Sequence, residues 1–279
     1  MKSAVFFSII IPTLNEEKYL STILNSLSHQ TFADFEVLVI DAHSRDKTGE
    51  IVKRFQRNVP ELSFHQSDQA NVGYQRNLGA KKAKGSYYIF LDADVDVGMT
   101  YLEEIHLAAV KKNFLLATTW IEPDSNKSID RLMILLSNLY VELAKEVNKP
   151  FIGGYNTIVR HDVFLRLQGY REDMIISEDH DLALRALKKN IEITILKEPR
   201  LIMSLRRFRS EGTLNVLRKY AQANIHLLVK GPITSELFEY KMGGHIHKRR
   251  RKKIDLTKLN TYIRAIDKLQ RGLINLLKE

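Results

Sequence analysis

Residues 86–98 read Ser-Tyr-Tyr-Ile-Phe-Leu-Asp-Ala-Asp-Val-Asp-Val-Gly. Tyr87–Leu91 is uncharged, β-branched and aromatic, and follows a glycine, the composition of a buried strand. The strand runs into Asp92, Asp94 and Asp96. Alternate side chains of a strand share one face, so the spacing predicts three carboxylates converging where the strand leaves the core. Such carboxylates repel one another unless a cation sits between them. Hard oxygen donors favour Mg²⁺, Mn²⁺ or Ca²⁺. This is the ligand set expected of a metal that holds a phosphorylated substrate. Two plainer readings compete. Asp92, Asp94, Asp96 and Glu103 have the spacing of positions 1, 3, 5 and 12 of an EF-hand loop, but Val97 stands where glycine is required and a strand precedes instead of a helix. An acidic turn with no ligand is the other.

The elements that must position these acids alternate. Phe6–Ile11 reads as a strand ended by Pro12, and Glu16–His29 as a helix with Leu20, Ile23, Leu24 and Leu27 on one face. A strand Glu36–Ile40 ends at Asp41, and a helix spans Asp46–Phe55. Then come a short strand Leu62–His65, a helix Val72–Lys84, the strand Tyr87–Leu91 and a helix from about Thr100 to Lys112. This βαβα order predicts a mostly parallel sheet covered on both faces, with ligands at the carboxyl ends of the strands. Asp41, Asp92 and Asp94 lie at such ends. The second half is mixed. It has a strand Leu115–Trp120, a helix Ile129–Val147 whose cluster Leu132–Leu136 reads as core, a Gly153-Gly154 turn and a strand Thr157–Arg160. A short helix 161–167, a helix Glu178–Lys189, strands near 191–195 and 201–205, and a helix Glu211–Lys230 stopped by Gly231-Pro232 complete it.

Six segments, in order, carry a resemblance across roughly residues 5–210. They are Ile-Ile-Ile-Pro-Thr-Leu-Asn-Glu-Glu (9–17), Val-Leu-Val-Ile-Asp-Ala-His-Ser-Arg-Asp-Lys-Thr (37–48) and Asn-Val-Gly-Tyr-Gln-Arg-Asn-Leu-Gly-Ala (71–80). Phe-Leu-Asp-Ala-Asp (90–94), Gly153-Gly154 and Ser-Glu-Asp-His-Asp-Leu (177–182) follow. Each alone is weak, but the ordered set resembles the inverting GT-A glycosyltransferases of family 2. The resemblance implies an α/β fold of the GT-A type. A Rossmann-like nucleotide-sugar half (about 1–120) has a mostly parallel sheet, a mixed acceptor half covers about 121–235, and C-terminal helices follow.

The resemblance also implies roles. Pro12 and Thr13 shape a turn on which a nucleoside rests, and Glu16 and Asp41 accept from ribose hydroxyls or base N–H groups. The plain alternative for Asp41 is a cap, for which Ser44 and Asp46 are better placed. Arg76, early in a helix, is expected to aim at a diphosphate, with a solvated surface arginine as the alternative. Asp92 and Asp94 match the family's Asp-x-Asp motif, which holds Mn²⁺ or Mg²⁺. Asp96 touches a sugar hydroxyl or caps the next helix. In Glu178-Asp179 the second acid is the general base by carry-over from the family, and one base without a nucleophile gives inversion. Ser177 with acids in the first turn is also a plain helix start. Asp181 and Arg185, at i,i+4, read as a structural ion pair. Gly153 and Gly154 admit a sugar or acceptor to the backbone, or form a simple turn. Arg206-Arg207-Phe208 lies where processive relatives carry Arg-Trp. Phe208 replaces the Trp and the preceding Gln-x-x is absent, which leaves the two arginines to neutralise a diphosphate or phosphorylated acceptor. His180, His245 and His247 are conceivable ligands, though isolated histidines are more often structural.

Composition bounds the reading. The chain has 279 residues, 44% of them hydrophobic, and no cysteine, so neither disulfides nor thiolate chemistry is available. The start shows no signal-peptide pattern, and no run of 18 apolar residues occurs, so a cytoplasmic protein is expected, possible as a peripheral one at the inner membrane face. The net charge of +10 is local. Residues 1–240 hold 31 Lys and Arg against 30 Asp and Glu, and residues 241–279 hold 12 against 3. No specific nucleic-acid partner is therefore expected of the main domain. Lys248–Lys253 is entirely basic, and apolar residues at 256, 259, 263, 266, 273 and 277 give the tail (236–279) an amphipathic helix pattern. This tail would suit an anionic membrane surface through residues 248–278, self-association, or solvent. The expected activity is transfer of a sugar from a UDP- or GDP-sugar to an acceptor saccharide or lipid-linked acceptor. The alternatives are a sugar nucleotidyltransferase, which should open on a Gly-rich loop absent from 11–15, and a non-catalytic lipid- or RNA-binding protein using the tail.

Overall fold

The computed structural model describes residues 5–147, 149–240 and 242–244. The basic run, the tail helix, His245 and His247 lie outside them. Four strands, β1 (Phe7–Thr13), β2 (Phe35–Asp41), β3 (Leu62–Gln66) and β4 (Tyr87–Leu91), pair in parallel in the order β3-β2-β1-β4. The sheet continues through β7 (Asn156–Arg160), antiparallel to β4, and β6 (Leu116–Pro123), antiparallel to β7. The strand β8 (Ile193–Met203) is parallel to β6, and the two-residue β5 (Asp96–Val97) closes the edge antiparallel to β8. The α/β order read from the sequence is thus the observed one, parallel in the first half and mixed in the second.

Period-2 alternation divides the core. Ile9, Ile11, Val37, Val39, Ile89 and Leu91 face one side, packed by α1 (Leu20–Ser28), α2 (Thr48–Phe55) and α4 (Tyr101–Lys112). Ile10, Leu38, Ile40, Tyr88 and Phe90 face the other, packed by α3 (Val72–Lys82), α6 (His161–Arg166) and α7 (Glu178–Lys188). Both faces of the central strands are buried, which is why those strands read as continuous apolar runs.

Several elements depart from the sequence reading. Strand β1 does not stop at Pro12 but continues to Thr13. Its ladder with β4 ends at Ile10, so Pro12 sits where β1 pairs only with β2 and its missing N–H costs no bond there. Helix α1 begins at Leu20, not Glu16. Asn15 is left-handed (φ 54°), and the amides of Glu16 and Glu17 donate to Thr48 Oγ1 (2.8 Å) and Asp46 Oδ2 (3.0 Å), which ties residues 15–17 to the β2–α2 loop. The two strands expected near 191–205 are one strand. Its pairing with β6 jumps from Thr119–Leu196 to Ile121–Leu201, so residues 197–200 bulge opposite Trp120. The helix expected over Glu211–Lys230 is α9 (Thr213–Lys230), and a short helix not read from the sequence, α8 (Arg206–Glu211), precedes it across Gly212 (φ 88°). In α5 (Ser128–Glu146) the cluster read as core is mostly outside, because only Ile134 is buried while Leu132, Leu135 and Leu136 are exposed. A helix laid on a sheet edge buries one stripe, and a run of five apolar residues covers every side.

Candidate active site

The carboxyl ends of β1, β2 and β4 form the rim on which the site is built. Thr13 Oγ1 donates to Asp41 Oδ1 (2.9 Å), and the Ser44 amide donates to Asp41 Oδ2 (2.8 Å). The Ser44 hydroxyl also donates to Asp41 Oδ1, so this buried carboxylate shapes the β2–α2 turn with both oxygens. The resemblance places Asp41 against a nucleoside. Its bonds here are those of the turn-holding alternative. Pro12 and Thr13 lie on the same rim, and Asn15 completes the turn by donating its amide to Ser44 Oγ (2.7 Å).

Helix α3 opens with Asn71 as a true N-cap, its Oδ1 accepting from the Tyr74 amide (2.9 Å). Its next residues bind in three directions. Gln75 Nε2 donates to the carbonyls of Thr13 (3.0 Å) and Ile40 (2.7 Å), stapling the ends of β1 and β2 together. Asn77 Nδ2 donates to the Tyr170 carbonyl (2.9 Å), in the segment leading to α7. Between them Arg76, 2% exposed, donates to Glu178 Oε1 (2.6 Å), the Gly154 carbonyl (2.7 Å) and Asp92 Oδ1 (3.0 Å). Arg76 therefore departs from its expected place. It is not aimed outward at a diphosphate but buried as a strut that joins the Asp-x-Asp strand end, the Gly-Gly loop and the Glu-Asp pair.

The acid pair opens α7 from Ser177, whose left-handed backbone (φ 65°) and lack of a side-chain cap bond depart from the plain helix-start alternative. Asp179 accepts from the Gly154 amide through Oδ2 and from the His180 amide through Oδ1 (2.7 Å). Burial raises the Asp179 carboxyl above its ordinary range, against the pull of Arg76 and the two amides. Burial also raises Glu178, and the neighbouring Asp179 charge pushes it the same way. A Cβ on Gly154 would lie 2.7 Å from Arg76 Nη2 and 3.0 Å from Asp179 Oδ2, so only glycine lets the loop seat against both.

Asp92 lies near enough to Asp94 to act on it electrostatically, and Asp92 is the more exposed. Asp96 does not join them. It is held by the Ser26 hydroxyl of α1 and by the Val97 amide (2.8 Å), at the start of β5, so the expected convergence of three carboxylates is a convergence of two. Arg206 donates Nε to Asp94 Oδ2 (2.6 Å) and spans Glu16 with Nη1 to Oε2 (2.7 Å) and Nη2 to Oε1 (2.9 Å). Its guanidinium lies over the Tyr19 ring, 4.2 Å from the centroid. Arg207 stacks on Tyr240 at 4.1 Å. The predicted pair Asp181–Arg185 is present at 2.7 Å. His180 is buried against Phe151 and pairs with Asn224, which is the structural reading. Sequence reasoning missed Gln75, Tyr19 and Tyr240. Gln75 lay inside a quoted motif, and the tyrosines gave no local signal, since their role is to stack on arginines distant in sequence.

The donors at Asp92 and Asp94 fit a hard divalent ion. Asp94 is pushed up to about 7, first by burial and then by the nearby Asp92 and Glu16, even with Arg206 beside it. Among the described residues no three carboxylates or histidines form a closed cage. Two carboxylates suffice for an ion that takes its other ligands from a diphosphate and water.

A parallel four-stranded sheet extended by a mixed half, with two aspartates at one strand end and an acid pair joined to that end through Arg76, defines a glycosyltransferase architecture of the GT-A class. Residues 8–167 match the family described as glycosyl transferase family 2, and the chain belongs to that family. Over 91 residues it is 38% identical to the poly(ribitol-phosphate) β-N-acetylglucosaminyltransferase TarS of Staphylococcus aureus, which covers 32% of this chain and 16% of TarS. Over 197 residues it is 26% identical to the glycosyltransferase MJ1057 of Methanocaldococcus jannaschii, covering 68% of each. Residues 1–349 of TarS in complex with UDP-GlcNAc share the fold at a TM-score of 0.60, with 20% identity, 80% of this chain and 73% of that chain covered. The mannosyltransferase PcManGT of Pyrobaculum calidifontis, in complex with GDP-Man and Mn²⁺, does so at 0.61, with 16% identity and coverage of 80% and 65%.

Proposed function

We propose that the protein transfers a sugar from a UDP- or GDP-sugar to an acceptor with inversion, using a divalent metal and Asp179 as base. The observation that carries this reading is Arg76. One buried guanidinium connects the Asp92 end of β4 to Glu178 and, through the Gly154 carbonyl, to the loop whose amide holds Asp179. Donor-side and acceptor-side carboxylates are thereby fixed relative to one another, which is what displacement at a single carbon requires.

Asp92 and Asp94 would hold Mn²⁺ or Mg²⁺, which when bound offsets the charge that grows on the departing diphosphate. Asp179 takes the proton of the acceptor hydroxyl. The hydroxyl oxygen then bonds to the anomeric carbon as the bond from that carbon to the diphosphate oxygen breaks, and the electron pair leaves with the nucleotide. The two amides on Asp179 fix its orientation, and its raised pKa brings its proton affinity nearer to neutral pH. Pro12, Thr13 and Glu16 line the nucleoside side, while Gly153 and Gly154 line the acceptor side. Donor and acceptor halves divide near residue 120 and the domain ends near 235, with a saccharide or lipid-linked acceptor. Relatives of known structure have been captured with UDP-GlcNAc and with GDP-Man and Mn²⁺, which supports a nucleotide-sugar donor.

Thermal melting with UDP, GDP, CDP and dTDP, each with and without Mn²⁺, tests the reading. A rise in Tm for UDP or GDP that needs the metal is expected. No rise with any nucleotide would overturn it.

A further inference from the structure

We propose that Arg206 is the protein's own counter-ion at the metal site: its guanidinium holds Asp94 and Glu16 together, and a divalent ion gains Asp94 only as Arg206 gives it up. This rests on the metal reading of Asp92 and Asp94 above.

The two arginines of the site differ in how they are held. Arg76 is 2% exposed and its contact with Asp92 is one of three bonds, the others to Glu178 and to the Gly154 carbonyl. Losing one would leave the strut in place. Arg206 reaches Asp94 from α8, a six-residue helix none of whose side chains is buried. Its remaining polar hold is the fork on Glu16, and a flat stack on Tyr19 supports it. Nε can therefore leave Asp94 while both Nη groups stay on Glu16, a movement of one side chain with no element rearranged.

The chain closes over this cluster. The Gly244 amide donates to the Leu14 carbonyl (3.0 Å), and a Cβ at Gly244 would lie 2.5 Å from Glu16 Oε2. The space beside Glu16 is thus filled by backbone on one side and by guanidinium on the other. A divalent ion at Asp94 would sit next to the Arg206 charge in a poorly solvated setting, where like charges repel strongly. Removing Arg206 would leave the buried Glu16 and the half-buried Asp94 without their cation, and the site would then attract a metal more strongly. Linkage is reciprocal, so metal bound at Asp94 weakens the Arg206 pair as much as the pair weakens the metal. Lysine keeps the charge but lacks the planar fork that spans Glu16 and Asp94 together.

The test is titration of the full-length protein with Mn²⁺ alone, read by the electron paramagnetic resonance of free Mn²⁺ and checked by calorimetry. Arg206→Ala should tighten Mn²⁺ on the order of ten-fold, and Arg206→Lys by less. Tyr19→Leu, which keeps both carboxylates and the arginine but removes the stack, should tighten it in the same direction and guards against misfolding of the alanine variant. Affinity in Arg206→Ala and Tyr19→Leu equal to or weaker than that of the unaltered protein would overturn the inference. Asp94→Asn separates the two readings. If Mn²⁺ binding needs Asp94 but ignores Arg206, only this inference fails; if Asp94→Asn binds Mn²⁺ undiminished, the metal assignment fails with it.

Discussion

Asp179 is useful as a base only if it is ionised while an acceptor is bound, and its surroundings pull both ways. Burial favours the neutral acid, whereas Arg76 and two amides favour the anion. Asp179→Asn keeps the shape and one acceptor oxygen. Nucleotide affinity is expected to be unchanged while turnover falls by ~10²–10⁴, measured by donor binding and steady-state rates side by side. The acidic limb of kcat/KM should have its midpoint above the ordinary carboxylate range. Stability carries the matching sign. Folded pKa values raised above unfolded ones mean that the folded chain binds more protons in the interval between them, so these two acids contribute a loss of stability as pH rises through that interval. Glu178→Gln should flatten this slope in urea melts recorded between pH 4 and 8. Asp92→Asn should abolish metal-dependent nucleotide binding. Affinity retained in that variant, measured with and without Mn²⁺, would remove Asp92 from the metal site.

At the scale of elements, α3 is the piece on which the site depends. It has no single apolar face. It is held by side-chain bonds to strand ends on one side and to the 170–174 segment on the other. Its close approach to the sheet depends on Gly79, where a Cβ would run into Ile10 Cγ2 and lie 3.2 Å from Ile40 Cγ1. Gly79→Ala should destabilise the fold by about 1–3 kcal/mol through overpacking, read from chemical denaturation. Gly154→Ala acts differently. Its Cβ meets Arg76 and Asp179, so activity should fall far more than the melting temperature does. Loss of both in proportion would mean that the loop serves stability and not alignment.

For the whole molecule, charge is unevenly distributed along the sequence. The near-neutral first 240 residues contain the site, and the basic excess lies in residues 241–279. Among the described residues no helix is long and apolar enough to cross a membrane, yet α5 exposes Ile129, Leu132, Leu136 and Leu143, and α9 exposes Leu214, Ile225 and Val229. Binding to vesicles rich in phosphatidylglycerol should therefore be strong at low salt and fall as salt is raised, with ~1 kcal/mol from each basic residue near the surface. Cosedimentation of the full chain against one shortened at residue 247 checks this. Equal binding by both would move the interaction from the tail to the apolar helices.

The sequence by itself determined the alternation of strands and helices in the first half, the mostly parallel sheet and the family, because each rests on short-range regularities. Period-2 runs, strand-end aspartates and glycine turns are local and survive without knowledge of their neighbours. Tertiary structure decided what those residues touch. Asp96 follows Asp94 at the same spacing as Asp94 follows Asp92, yet Ser26 and the β5 pairing take it away. Arg76 was legible as a charge in a motif, but its burial depends on Gly154, Glu178 and Asp92 meeting around it. The span from Glu16 to Arg206 joins residues at opposite ends of the domain. Pairing of that kind is set by where the sheet brings its strand ends, and no local pattern records it.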